Sequence, residues 1–137
     1  MVKPDYRLIA ALVAPLLVWP WVPVWNDGVF RAGVIGAAVF VVSVSVLEEV
    51  VFRGFLQGWL LGRAGFRQML FYFSRANWLT SLAFAAAHVW AHTLLLVPGY
   101  FMVGMALGYF RERYNGILLP IILHSYYNLG LLLFTLR

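Results

Sequence analysis

Glu48, Glu49 and Arg53 fall within one short segment, EEVVFR, flanked by GVIGAAVFVVSVSVL on one side and GFLQGWLLG on the other. A lone Glu or Arg at the centre of a membrane helix costs roughly 2.5–3.5 kcal/mol on insertion scales, so three together require partners and mark a working site. Glu49 and Arg53 are four residues apart with the acid first, which puts them on one helical face in the favourable ion-pair order. They are expected to brace each other. Glu48 is turned about 100° away and is expected to face a polar cavity. The other strong polar groups in apolar segments are His88 and His92 in FAAAHVWAH, and His124 and Asn128 in HSYYN, which together include every histidine of the chain. A carboxylate within reach of water can act as a general base, and an adjacent imidazole can hold that water or pass its proton to a leaving amine. His124 and Asn128 share a face and supply donors for an oxyanion developing on a peptide carbonyl. Together these groups describe hydrolysis of an amide without a covalent intermediate.

The elements that position them must be apolar helices. The chain has 137 residues, 64% hydrophobic and only 11% charged, with a mean hydropathy of +0.86, against about a quarter charged in an ordinary soluble domain. It reads as all-α, a polytopic transmembrane helical bundle forming a single domain over residues 1–137. Five spans are expected, at roughly 8–25, 32–60, 78–96, 99–110 and 116–136. The second is too long for one crossing at about 1.5 Å per residue, so it should tilt, extend beyond the bilayer or bend near Gly54 or Gly58. Lys3 and Arg7 precede the first apolar run as they would in a signal peptide. That run, however, holds Pro15, Pro20 and Pro23 and ends in Trp19, Trp21 and Trp25 rather than a small-residue cleavage site, so it reads as a retained span with an interfacial aromatic belt.

Charge orients the bundle. With a cytoplasmic N-terminus, Lys3, Arg7, Arg63, Arg67, Arg75, Arg111 and Arg113 lie inside and only Arg31 and Arg137 outside. Phe66, Met69, Leu70 and Phe73 recur at helical spacing and predict a short helix on the cytoplasmic face, either interfacial or an ordinary amphipathic loop helix. Gly104 and Gly108 form a small-xxx-small pair, and the alanines of FAAAH thin the third span, both favouring close helix packing. Counting from the cytoplasmic ends places Glu48, His88 and His124 at similar depths of roughly 12–18 Å, which is what one site shared between helices requires. The net charge of +5 is explained by this topology, with no nucleic-acid partner implied, and the absence of cysteine removes thiol nucleophiles, thiolate metal sites and disulfides.

The signatures EEVVFR, FAAAH and HSYYN, in that order over roughly residues 40–135, resemble those of the CAAX prenyl protease and bacteriocin-processing (Abi) family of glutamate-type intramembrane endopeptidases, whose pattern is EExxxR, FxxxH and HxxxN. The resemblance implies that Glu48 activates water with help from His88, that His124 and Asn128 form the oxyanion site, and that Glu49 with Arg53 supports them. It also implies catalysis without a metal or other cofactor, and a membrane-anchored protein or peptide as substrate. The short chain looks most like prokaryotic members that process a sorting tail or propeptide at the plasma membrane. His92 is not required by the pattern and is expected to be structural.

Other functions use the same residue types. His88 and His92 at i, i+4 with a nearby Glu have zinc-ligand spacing, although HExxH is absent. Intramembrane Glu and His also build proton pathways, and a non-catalytic scaffold or immunity protein is a third class. The intact set of polar residues argues against a scaffold that keeps the site as a relic.

Overall fold

The computed structural model describes residues 4–21, 33–89 and 94–135, and its long elements are all helices. Charged and polar side chains share the interior with apolar ones, and many large apolar side chains face outward. Glu49, Arg53, Gln57, Asn77, Thr80 and Ser81 are buried, whereas Ile35, Phe55, Trp59, Met102 and Leu118 are mostly exposed. A bilayer selects this arrangement, because polar groups inside it find partners only within the protein while apolar side chains are at home in lipid.

Helix α1 is Tyr6–Val18, opened by Asp5, whose carboxylate accepts from the Arg7 N–H at 3.1 Å. Helix α2 runs unbroken over Gly33–Leu61. A single helical turn, α3, covers Ala64–Arg67, and strands β1 (Met69–Leu70) and β2 (Phe73–Ser74) pair as an antiparallel hairpin. Helix α4 is Arg75–His88, α5 is Val97–Arg113, preceded by a 3₁₀ turn at Leu94–Leu96, and α6 is Leu118–Thr135. Both α2 and the segment Leu94–Arg113 are long and apolar enough to cross a membrane, while Tyr6–Val18 and Leu118–Phe134 are apolar but shorter. The 14 residues of α4 reach about 21 Å, less than a bilayer core of about 30 Å. Capping chemistry rather than hydropathy sets these limits: the Ser74 hydroxyl accepts from the Asn77 N–H at 2.9 Å to begin α4, and Pro98 lies in the first turn of α5. Residues 22–32, with Trp25 and Arg31, lie outside the described residues, as do Lys3 and Arg137.

The structure corrects the expected short helix. The pattern of Phe66, Met69, Leu70 and Phe73 is split between one helical turn and a hairpin, which pairs Met69 with Ser74 and Leu70 with Phe73. A two-residue loop, Phe71-Tyr72, closes it, with Phe71 at φ +58°, where glycine or asparagine is the usual choice.

The chain divides into two compact units. The first comprises Met1–Val46 and Ile122–Arg137. There Trp19 packs on Gly130, Tyr126 and Phe134, with ring centroids 5.1 and 5.8 Å from the latter two. Pro15 lacks an N–H and so leaves the Ala11 carbonyl without its helical donor; the Tyr127 hydroxyl donates to that carbonyl at 3.1 Å. The neighbouring Tyr126 hydroxyl donates to Leu12 O at 2.9 Å.

The second unit is Leu47–Ile121. In it α4 and α5 lie close because Gly104 and Gly108 present bare backbone to Ser81 and Asn77. Within α2, residues Val50–Gln57 wind as a π-helix, with i→i+5 bonding. Glu49, Arg53 and Gln57, spaced four apart through this stretch, form one fully buried line.

Candidate functional site

Each residue of this line makes at least one side-chain hydrogen bond. Arg53 Nη1 donates to Glu49 Oε1 at 2.8 Å, with both side chains fully buried. Arg53 Nη2 donates to the Gly104 carbonyl at 3.1 Å, and Gln57 Nε2 donates to the Gly108 carbonyl at 3.1 Å. Two side chains four residues apart on α2 thus reach two carbonyls four residues apart on α5, where glycine leaves the backbone accessible. Gln57 also donates to Glu112 Oε1 at 2.8 Å, which accepts from the Ser74 hydroxyl at 2.6 Å. Asn77 Nδ2 donates to Met105 O at 3.0 Å, and Asn77 Oδ1 accepts from Ser81 at 3.0 Å. A charge pair inside an apolar bundle is tolerable only with such further partners.

The FxxxH segment joins this frame through Phe84. Its buried ring lies 4.6 Å under the Arg53 guanidinium and packs edge-on against Phe52, with centroids 5.2 Å apart. One turn later on α4, the His88 ring packs against Phe84 at 4.5 Å and stacks on Tyr100 of α5 at 4.3 Å, the latter two planes 22° apart. His88 Nδ1 is 2.8 Å from the Phe84 carbonyl. Because a carbonyl only accepts, the hydrogen-bond network assigns the proton to Nδ1, and in the neutral ring Nε2 is then an acceptor. Nε2 faces Glu48 Oε1 at 3.8 Å, with Glu48 a quarter exposed and His88 less so. That separation exceeds a direct hydrogen bond. Two acceptors directed at one gap suit a donor held between them, and a water molecule has the two hydrogens required.

The structure thus brings Glu48, Glu49, Arg53 and His88 together in one unit. His124 and Asn128 belong to the other, one turn apart on α6. There His124 is buried, and Asn128 Nδ2 donates to the Ser45 hydroxyl at 2.9 Å, which itself donates to Val41 O at 2.8 Å. His92 lies outside the described residues. Among the described residues no three His, Asp or Glu side chains gather as a metal-binding group.

Sequence reasoning missed Gln57, Tyr100, Asn77 and Glu112. Gln57 carried a usable signal, since it extends the Glu49, Arg53 spacing by another four residues. The pairing of Asn77 and Glu112 with distant partners is tertiary.

A family model described as type II CAAX prenyl endopeptidase Rce1-like matches residues 30–130. No curated protein and no solved structure matches the chain.

Proposed function

Because the chain belongs to the type II CAAX prenyl endopeptidase Rce1-like family of membrane-embedded proteases, we propose that it hydrolyses a peptide bond of a membrane-anchored protein or peptide, such as a sorting tail or propeptide, using water activated by Glu48. The observation that carries this reading is the facing of Glu48 Oε1 and His88 Nε2 across 3.8 Å, with the opposite imidazole nitrogen donating to Phe84 O. A water between them donates one hydrogen to each and turns a lone pair outward. As that oxygen attacks the carbonyl carbon, Glu48 takes its proton and the carbonyl oxygen becomes an oxyanion. The likeness of HSYYN to the family's HxxxN is what supports His124 and Asn128 as donors to the oxyanion. Collapse of the tetrahedral species breaks the C–N bond as the proton held by Glu48 passes to the leaving nitrogen; the second hydrogen of the former water passes by way of His88 Nε2 to the released amine, so the products are a carboxylate and an ammonium and both side chains return to their starting states. Glu49 and Arg53 contribute indirectly, since their ion pair and its link to Gly104 fix the turn of α2 that carries Glu48.

In this reading the apolar helices α1, α2, α4, α5 and α6 form a multi-pass bundle with a cytoplasmic N-terminus, supported by the basic residues at one set of helix ends. No cofactor takes part, and zinc bound through His88 is the competing chemistry.

Replacing Glu48 by Gln tests the assignment. It preserves size and hydrogen bonding but removes the base, so cleavage of a co-expressed membrane substrate should fall by at least a hundredfold while insertion and folding persist. Unchanged cleavage sinks the role of Glu48, and activity lost on chelation but restored by zinc sinks the metal-free mechanism. Proton flux through liposomes that also requires Glu48, with no cleavage, points instead to a proton pathway.

A further inference from the structure

The hairpin Met69–Ser74 serves none of the chemistry above, yet its apolar tip is strongly exposed. Phe71 and Tyr72 at its tip are each 82% exposed, and Met69 is exposed as well. Its base is held by the Arg75 N–H donating to Gln68 O at 2.9 Å. One flank is fixed to α4, with Trp78 Nε1 donating to Leu70 O at 3.1 Å and Phe73 set edge-on against Trp78 and Tyr109. Trp78 lies three residues into α4, about 4.5 Å along the axis from Arg75. Strand residues rise about 3.3 Å each, so the tip lies roughly 7–10 Å from the base. The exposed tip is thus held at a set distance from the base, beside the first turn of α4.

The base is cationic. Arg67 and Arg75 bracket the hairpin, and Arg63 lies one helical turn before Arg67; all three are exposed. Arg63 donates to Trp59 O at 2.8 Å and lies over the Trp59 ring, and Arg67 donates to Leu61 O, so both are held at the end of α2. Each still has guanidinium N–H groups to offer. Among the described residues none of the three is ion-paired with a carboxylate.

We propose that this hairpin is an anchor for an anionic lipid surface, with Phe71 and Tyr72 at the acyl boundary and Arg63, Arg67 and Arg75 on lipid phosphates. The spacing between aromatic tip and cationic base matches an interfacial burial depth of about 5–10 Å. Phe71 occupies a left-handed position that favours glycine, which fits a ring kept for what it contacts outside the protein. The proposal rests on the membrane placement of the chain and is independent of the roles given to Glu48 and His88.

The chain has no cysteine, so Tyr72→Cys in the full-length protein offers one site for a nitroxide label. Reconstituted in vesicles containing phosphatidylglycerol, the label should collide with oxygen several-fold more often than with a water-soluble nickel chelate. Changing Arg63, Arg67 and Arg75 to Gln should weaken selection of spin-labelled phosphatidylglycerol over phosphatidylcholine, by about fivefold per arginine at low salt. The depth measurement uses unaltered arginines and so stands even if the triple variant folds poorly. A label that meets the chelate freely overturns the proposal, as does one shielded from both reagents, which would mean that protein covers the tip. Equal lipid selection with and without the arginines removes the anionic half of the proposal, and with it the proposal as stated.

Discussion

Replacing Gly108 by Ala puts a methyl group where the structure has no room. A Cβ there would lie 2.0 Å from Asn77 Oδ1, 2.7 Å from Asn77 Cγ and 3.1 Å from Gln57 Oε1. Asn77 is not free to swing aside, because its amide bonds Met105 O at 3.0 Å and Ser81 at 3.0 Å. Overpacking costs about 1–3 kcal/mol, and losing two hydrogen bonds costs about 1 kcal/mol each. The better helix propensity of alanine returns about 1 kcal/mol. The net expectation is a loss of about 2–4 kcal/mol. At Gly104 the nearest atoms are those of Ser81 at 3.1–3.3 Å, so Gly104→Ala should lose only about 0–1 kcal/mol. At Gly54 the nearest neighbours are 3.9 and 4.0 Å away, and Gly54→Ala should be neutral or stabilising by up to about 1 kcal/mol. Equilibrium unfolding of the three variants in mixed micelles gives the ranking. Adding Asn77→Ala to Gly108→Ala removes the obstructing side chain, so the double variant should lose less than the sum of the singles. If Gly108→Ala unfolds no more readily than Gly54→Ala, the close approach of α4 and α5 is wrong.

Arg53→Met strands Glu49 without its buried cation and should destabilise by about 3–5 kcal/mol, whereas Arg53→Met combined with Glu49→Gln should lose less in the same unfolding assay. Glu112→Gln keeps an acceptor for Gln57 and Ser74 and should lose about 1 kcal/mol, but Glu112→Leu strands both donors and should lose about 2–4 kcal/mol. Gly130→Ala would put a Cβ 2.2 Å from the Trp19 ring, so it should lower thermal stability by about 1–3 kcal/mol, and Trp19→Leu in the same chain should recover part of that loss.

The ion-pair geometry of Glu49 and Arg53 was legible because it is local: four residues on one helix settle it. Gly104 and Gly108 were legible as a packing pair for the same reason, although the helix they face, α4, could not be named. What escaped was whatever depends on a change of winding or on a distant chain segment. Hydrophobic spacing alone does not separate a helix from a turn followed by a hairpin, and Phe66, Met69, Leu70 and Phe73 satisfied both patterns. The π-helical winding of α2 has no counterpart in the hydrophobic pattern, and Gln57, although four residues beyond Arg53, is uncharged and did not stand out as a member of the line it completes. Helix ends were misjudged where capping decided them, as at Ser74, because hydropathy changes slowly there. Asn77 reaches Met105, 28 positions away, and Glu112 pairs with Ser74 and Gln57, 38 and 55 positions away; no local pattern announces these contacts.

The paired bonds from Arg53 and Gln57 to the Gly104 and Gly108 carbonyls bear on how this unit can move. Because both helices repeat the contact every four residues, the two bonds act as a detent: a small slide of α5 along α2 breaks both before any replacement forms. The next register lies about 6 Å away. A shift in one direction brings Arg53 to the Gly108 carbonyl but leaves Gln57 opposite Glu112, and the reverse shift gives Gln57 the Gly104 carbonyl while Arg53 meets Tyr100. Either way only one bond finds a glycine. Piston-like sliding of α5 along α2 is therefore opposed by both bonds at once, whereas motions that keep these two helices in step leave the pair intact.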